Sequence, residues 1–405
     1  MRMKHVFILG LAVTFLSWAS GIVSGADTIK IGLPTPVSFD TGQGEIKGAE
    51  WAVEVINEAG GINGKKVELF VEDTQMKPEK AINAVKKLVL VKKVNGLVGV
   101  YGSGVVLSLV DLLSRFKIPL IATGSASDRL ALKVKENYKK YKYLFHLMVD
   151  ETGSAESTVG LITEYLQPKW NIKKIAIMVE DLKWTTFMSE IITKGVQKAG
   201  ITVTEYIRFP IKETDFAAIF SRVKRSDADF LVQICSVVDG ATYLSQWHDM
   251  QGPPIGGCDT LSCTDEFWEK TNGKCLTEMV FMYGAYPVDL TPQTRDFWNG
   301  YIDRYGIDPK YCSAFTYDAV MILAEAIRKA GTKGDDLVNA IENISYPGVS
   351  GLIEFDKKDH HVLYGEGRPT QIYFQWQGEG KRVPIYPRKY AEADVILPKW
   401  YKPKN

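Results

Sequence analysis

The chain has 405 residues, with 49 Lys and Arg against 48 Asp and Glu, a formal charge of +1, 45% hydrophobic residues and 24% charged ones. This size and near-neutral balance predict two compact lobes and leave no electrostatic footprint for nucleic acid, so the expected partner is a small molecule or another protein. Arg2 and Lys4 precede an apolar run, Val6 to Ala19, and Ser24-Gly25-Ala26 supplies small residues for cleavage. Residues 1–26 therefore read as a secretory signal peptide cut near Ala26, too short for an anchoring helix, and the mature protein is expected to be soluble and exported. No cysteine stands at the cleavage point, so no lipid anchor is indicated.

From Ile29 onward, strand and helix patterns alternate. The predicted strands of the first lobe are Ile29 to Leu33, Val67 to Val71, Gly96 to Val100, Pro119 to Ala122 and Tyr143 to Leu147. Between them fall helical faces at Ile46, Ala49, Ala52, Val53 and Ile56, at Ile82, Val85, Leu88 and Val89, and at Val105, Val106, Leu109, Leu112, Leu113 and Phe116. After Val149 the alternation restarts with strands at Ile175 to Val179, Thr202 to Ile207, Phe230 to Ile234, near Pro254 to Gly257, and Met279 to Met282. Three helices follow, at Pro292 to Tyr305, Ala314 to Lys329 and Asp335 to Asn343, then strands Leu352 to Phe355 and Gln371 to Gln375 around a polar segment, and a Pro- and Tyr-rich tail. This is an α/β chain of two doubly wound, Rossmann-like lobes.

Two predicted strands of the first lobe end in small polar residues, Tyr101-Gly102-Ser103-Gly104 and Thr123-Gly124-Ser125-Ala126-Ser127. At the carboxyl ends of parallel strands the N–H groups of the next helix are unpaired, and glycine lets a ligand come close, so two adjacent loops of this kind suit an anionic group. Catalytic signals are poor: no GxSxG, HExxH or P-loop lysine is present, and no enzyme activity or cofactor is expected. His146 and His248 read as structural, and His360-His361 as part of a solvated loop rather than a metal site. Of the five cysteines, Cys258, Cys263 and Cys275 are close enough to supply one disulfide in an exported protein, with connectivity open.

The residues resemble the type I periplasmic solute-binding proteins of ABC transporters, in their branched-chain amino-acid-binding branch. The resemblance rests on Gly48-Ala49-Glu50 through Asn57-Glu58-Ala59-Gly60-Gly61-Ile62-Asn63-Gly64-Lys65-Lys66, with Glu72-Asp73, Ile118-Pro119-Leu120-Ile121, Ile175-Ala176-Ile177, Tyr317-Asp318-Ala319 and Gly351 to Asp356. It runs from about Ile29 to Trp376 and implies two lobes joined by three crossings, near Met148 to Glu151, Tyr283 to Pro287 and Pro369 to Tyr373, with the ligand between them. The division so implied is lobe 1 at 27–149, lobe 2 at 150–284, lobe 1 again at 285–370, and lobe 2 with the tail at 371–405. Carried over by position, Ser103 would bind a ligand carboxylate, while Gly124 and Ala126 would offer a backbone carbonyl to an ammonium and a backbone N–H to the carboxylate. Trp184 would close over the ligand, Ser236 would face it, and Asp259 would pair with its ammonium. Alanine stands at 126 where the family commonly has threonine, a hydroxyl that Ser125 or Ser127 would have to replace, and Trp184 is larger than the usual tyrosine.

The resemblance thus implies a monomeric, exported binding protein that captures an amino acid and delivers it to an ABC permease. The alternatives are an amide, urea or aromatic-carboxylate binder on the same fold, or a ligand-sensing subunit for a membrane receptor. A deaminated acid or amide becomes the first choice where Asp259 points away from the cleft.

Overall fold

The computed structural model describes residues 28–264, 266–284 and 286–404; the segment read as a signal peptide lies outside these. Two sheets organise the chain. The first has the strands β1 (Ile29–Thr35), β2 (Val67–Asp73), β3 (Gly96–Tyr101), β4 (Leu120–Gly124) and β5 (Leu144–His146) in the order β2-β1-β3-β4-β5, all parallel. The second is built from β6 (Lys174–Glu180), β7 (Thr202–Phe209), β8 (Phe230–Cys235), β9 (Ile255–Asp259) and β10 (Met279–Met282). A two-stranded ribbon, β11 (Tyr346–Gly348) and β12 (Gly351–Ile353), comes next, and then β13 (Ile372–Gln377) and β14 (Lys381–Tyr386) complete the second sheet in the order β14-β13-β10-β9-β8-β6-β7. Strands β13 and β14 pair antiparallel, whereas β6 to β10 are parallel to their neighbours within that group. Central strands such as β3 and β8 are apolar on both faces but for Gln233 and buried but for Tyr101 at the end of β3, as a parallel sheet covered by helices on each side requires.

The helix Tyr311–Ala330, although late in the chain, returns to the first lobe and packs along the helix Asp40–Glu58. Two glycines permit this. A Cβ on Gly48 would lie 2.2 Å from the carbonyl oxygen of Ser313, and one on Gly44 would lie 2.9 Å from the Ser313 hydroxyl. Trp51 stacks on Phe297 at 5.1 Å and meets Tyr317 edge-on at 5.4 Å, which pins the helix Thr294–Tyr305 to the same lobe. The chain consequently passes between the sheets three times: from β5 into the helix Glu151–Gly160, from β10 into the helix Thr294–Tyr305, and from the segment after β12 into β13.

Several expectations need correction. The segment around His360-His361 is not solvated: His360 is fully buried, lies flat on Phe145 at 4.1 Å and reaches Glu342 through Nε2 at 2.7 Å, and His361 binds the carbonyl of Met148 at 3.0 Å. Lobe 1 helices and the turn Asp356–His361 close over these rings, which local polarity alone does not reveal. The tail contributes β14, and its Trp400 donates to the carbonyl of Gly252 at 2.8 Å. The expected disulfide is absent, since all five cysteines are free thiols, four of them buried. Burial pushes the thiols of Cys263 and Cys275 up to about 12, so neither is a ready nucleophile for exchange. Protein purified without reductant should yield five titratable thiols per chain in denaturant and far fewer when native; three in denaturant would restore the bridge.

Candidate functional site

The carboxyl ends of β3 and β4 make one side of the site. Gly99 and Val100 both have positive φ, 90° and 73°, and Val100 is a buried β-branched residue in that region, a local strain that redirects the end of β3. Tyr101 is thereby delivered to the space between the lobes, and Gly102, at φ 95°, opens the helix Ser103–Phe116. The Gly102 N–H donates to the Gly124 carbonyl at 2.9 Å, and Ser125 Oγ donates to Ser103 Oγ at 2.9 Å, so the two loops are tied into one surface. The first-turn N–H groups of Ser103 and Gly104 have no place in the helical ladder, and that of Ala126 makes no hydrogen bond among the described residues. The sequence-expected quartet of Ser103, Gly124, Ser125 and Ala126 is therefore together, although the Gly124 carbonyl is already engaged.

Beneath this surface lies Glu45, fully buried in the helix Asp40–Glu58 and accepting hydrogen bonds from the hydroxyls of Thr35 and Thr123. A Cβ on Gly124 would stand 2.8 Å from Glu45 Oε1, so that glycine is needed to admit the carboxyl. No cation among the described residues faces it, and burial pushes its pKa up to about 8, with the two threonine hydroxyls pulling only partly back. Behind the second loop, His146 contacts the Ser125 carbonyl through Nε2, and burial, with His361 nearby, holds its pKa down at about 3. A neutral carboxyl and a neutral imidazole thus support the loops.

The opposing wall comes from the second lobe. Ser236, following β8, lines the interlobe space; its hydroxyl donates to Glu180 at 3.0 Å and its carbonyl accepts from Thr260 at 3.1 Å. Trp184 starts the helix Lys183–Lys198 and is half-buried against the core rather than set in the wall of the cavity described below. Asp259 is placed otherwise than an ammonium partner requires. It is 1% exposed, it accepts from the hydroxyl of Tyr243 and the amides of Leu261 and Ser262, and its carboxyl occupies the room left by Gly240, where a Cβ would meet it at 1.9 Å. Burial pushes its pKa up to about 7.

Between the walls is a cavity of about 300 Å³. Tyr101 and Tyr311 line it from lobe 1, Phe281 and Tyr283 from the second sheet and its exit, with Cys258 and Thr260 beside Ser236. Tyr283 lies 5.6 Å from Tyr311 and 5.0 Å from Phe281, ring centre to ring centre. Lys310 and Asp308 stand at one end, where Arg382 of β14 pairs with Asp308 across the lobes, both side chains nearly buried. At the base of the cleft, Tyr283 and Gln371 both bind the hydroxyl of Ser154, at 2.9 and 2.8 Å, joining the three crossings. Sequence reading missed this aromatic set because Tyr101, Tyr283 and Tyr311 belong to three different elements; their one shared mark is a position at the end of a strand or the start of a helix.

The family model described as a periplasmic binding protein matches residues 28–372. Among curated proteins, "Leu/Ile/Val-binding protein homolog 7" of Brucella suis biovar 1 (strain 1330) is 24% identical, over 98% of this chain and 99% of its own. Among solved structures, the branched-chain amino acid transporter substrate-binding protein LivJ from Streptococcus pneumoniae, in complex with isoleucine, superposes with a TM-score of 0.72 at 25% identity, covering 92% of this chain and all of its own. A solute-binding protein of an ABC transporter from Rhodopseudomonas palustris BisB5, in complex with 3,4-dihydroxybenzoic acid, gives a TM-score of 0.71 at 19% identity, covering 91% and 98%.

A raised carboxyl pKa costs stability as pH climbs. Glu45 stays protonated in the fold up to about pH 8 but ionises near pH 4.3 when unfolded, so its contribution falls progressively across that window, by roughly 1.4 kcal/mol per pH unit at most. Chemical denaturation of wild type and Glu45→Gln at pH 5 and pH 8 should show the variant losing distinctly less stability between the two; parallel losses would mean that Glu45 ionises normally.

Proposed function

The chain belongs to the periplasmic binding protein family, and from that premise we propose that it is an exported, non-enzymatic capture protein for a small carboxylate with an apolar or ring-bearing body, which it delivers to an ABC permease. One observation carries the reading: the free amides at Ser103 and Ala126, beside the mutually bonded hydroxyls of Ser103 and Ser125, adjoin through Tyr101 a cavity walled by Phe281, Tyr283 and Tyr311. Amides at a helix start favour an anion, and aromatic walls favour a flat or apolar body held by stacking. Burial of Asp259 against Tyr243 supports a ligand with no ammonium group, since that carboxyl is already fully engaged.

A second reading, an α-amino acid, is favoured by the isoleucine-bound LivJ structure, a relative of similar length. The two separate in a thermal-shift panel of branched-chain and aromatic amino acids, their deaminated counterparts, aromatic acids and small amides. A ligand at a hundred times its Kd adds ~2.7 kcal/mol to stability, well within reach of the method. An aromatic or deaminated acid should stabilise at least as well as the matching amino acid; stabilisation by amino acids alone would return the assignment to them.

Ser103→Ala should weaken carboxylate binding by ~1 to 2 kcal/mol, the loss of one hydrogen bond to a charged group, as read by calorimetry. Unchanged affinity would remove Ser103 from the site.

A further inference from the structure

The cleft lies at the carboxyl ends of the first sheet, and the opposite pole of that lobe has a character of its own. All five parallel strands start there, and a lysine stands within three residues of each start: Lys30, Lys66, Lys93, Lys117 and Lys142. The densest stretch is Lys86-Lys87-Leu88-Val89-Leu90-Val91-Lys92-Lys93, four lysines without one acid. Its second part is a π-helical turn, Lys87–Lys92, stopped by Lys93 in the left-handed conformation and packed on β1 and β2.

That turn gives the side chains an unusual distribution. Leu88 is buried, but Leu90 and Val91 are 60% and 68% exposed, more than the other large apolar side chains described. Lys30 and Lys92 both lie over Phe70, at 5.7 and 5.4 Å, which gathers charge around the exposed pair. Acidic partners are few: Lys87 meets Glu72, Lys140 meets Asp111 and Lys142 meets Asp335. Lys66, Lys86, Lys93 and Lys139 make no ion pair among the described residues. Residue 28, the first described, enters β1 next to Lys30 at this same pole.

An apolar tip ringed by lysines is the arrangement that enters the headgroup layer of an anionic bilayer: apolar atoms sink to the acyl boundary while ammonium groups meet phosphates. We propose that this pole of lobe 1 docks on an anionic membrane surface through Leu90, Val91 and the lysines around them, leaving the cleft facing away from the lipid. Charge complementarity selects the occupant. A second copy of this chain would bring lysines against lysines, and an apolar protein groove would leave Lys86 and Lys93 without counter-charges.

The test is flotation of the purified, full-length mature protein with vesicles of equimolar phosphatidylglycerol and phosphatidylcholine, against vesicles of phosphatidylcholine alone. Wild type should float with the anionic vesicles at about 50 mM salt, separate from them at about 500 mM, and stay behind with neutral ones, because the attraction is screened within about a Debye length. Lys86→Glu with Lys93→Glu should lower the partition coefficient about tenfold or more, and Leu90→Ser with Val91→Ser about fivefold. Both pairs are exposed, and each variant should keep the wild-type melting temperature to within a few degrees, separating lost docking from lost folding. Failure to float with anionic vesicles, equal flotation with neutral ones, wild-type partition by both folded variants, or self-association through the patch without lipid would each overturn the proposal.

Discussion

The contact on which the rest depends is the close approach of the helices Asp40–Glu58 and Tyr311–Ala330. Without side chains at Gly44 and Gly48, backbone and side chain at Ser313 reach the first helix directly, at distances a methyl group would occupy. A segment nearly three hundred residues downstream is thereby made part of lobe 1, and the chain has to cross between the sheets three times instead of once. Tyr311, the first residue of that late helix, is in consequence set opposite Tyr283 at 5.6 Å in the interlobe cavity. The packing of two helices on the outside of a sheet therefore decides which rings line the cleft.

The same helix pair shelters Glu45. A carboxyl without a cation is expensive to bury as an anion, so the fold keeps it protonated and satisfies it with the hydroxyls of Thr35 and Thr123, themselves backed by Thr316 at 2.8 Å from Thr123. A neutral group behind Gly124 has a consequence for binding. It offers polar support to the strand ends that carry the amide surface without placing a negative charge behind the site where a carboxylate would sit.

Much of this architecture was legible in the sequence, because parallel strands buried on both faces read as continuous apolar runs and their helices as regular stripes. Met279 to Met282 appears in the chain as it was read, and most other elements differ by a few residues at their ends. What escaped has local reasons. The strand Lys381–Tyr386 contains Pro384, Lys381 and Arg382, a composition that reads as tail; as an edge strand it tolerates all three. His360 and His361 follow Asp356, Lys357, Lys358 and Asp359, so their burial depends on partners at Leu144, Met148 and Glu342 that lie far away in sequence. In the site, the serines and glycines of lobe 1 were readable because their chemistry is local to one βαβ unit. The aromatic wall was not, since it is assembled by three crossings.

The buried acids of the second lobe, Asp259 among them, act as ties within the protein. Glu180 and Asp259 end adjacent regions of the sheet, and Glu278 precedes the next strand, yet all three turn inward. Glu180 accepts from the Ser236 hydroxyl and from the amides of Val237 and Val238, which are the first residues after β8. Asp259 does the same for Leu261 and Ser262 after β9, with Tyr243 closing its other oxygen, and Glu278 accepts from Gln233 in the middle of β8. Each carboxyl thus takes up backbone or side-chain donors that would otherwise be buried without partners, and Glu180 and Asp259 each fix the path of a loop that forms the wall of the cleft. A carboxyl so used is a tie within the wall: rotating Asp259 outward to meet a cation would strip two amides and a tyrosine hydroxyl of their acceptor in a dry interior. The cost of that exchange, and not the mere presence of an acid at the strand end, is the physical reason to look for ligands whose recognition needs no positive group.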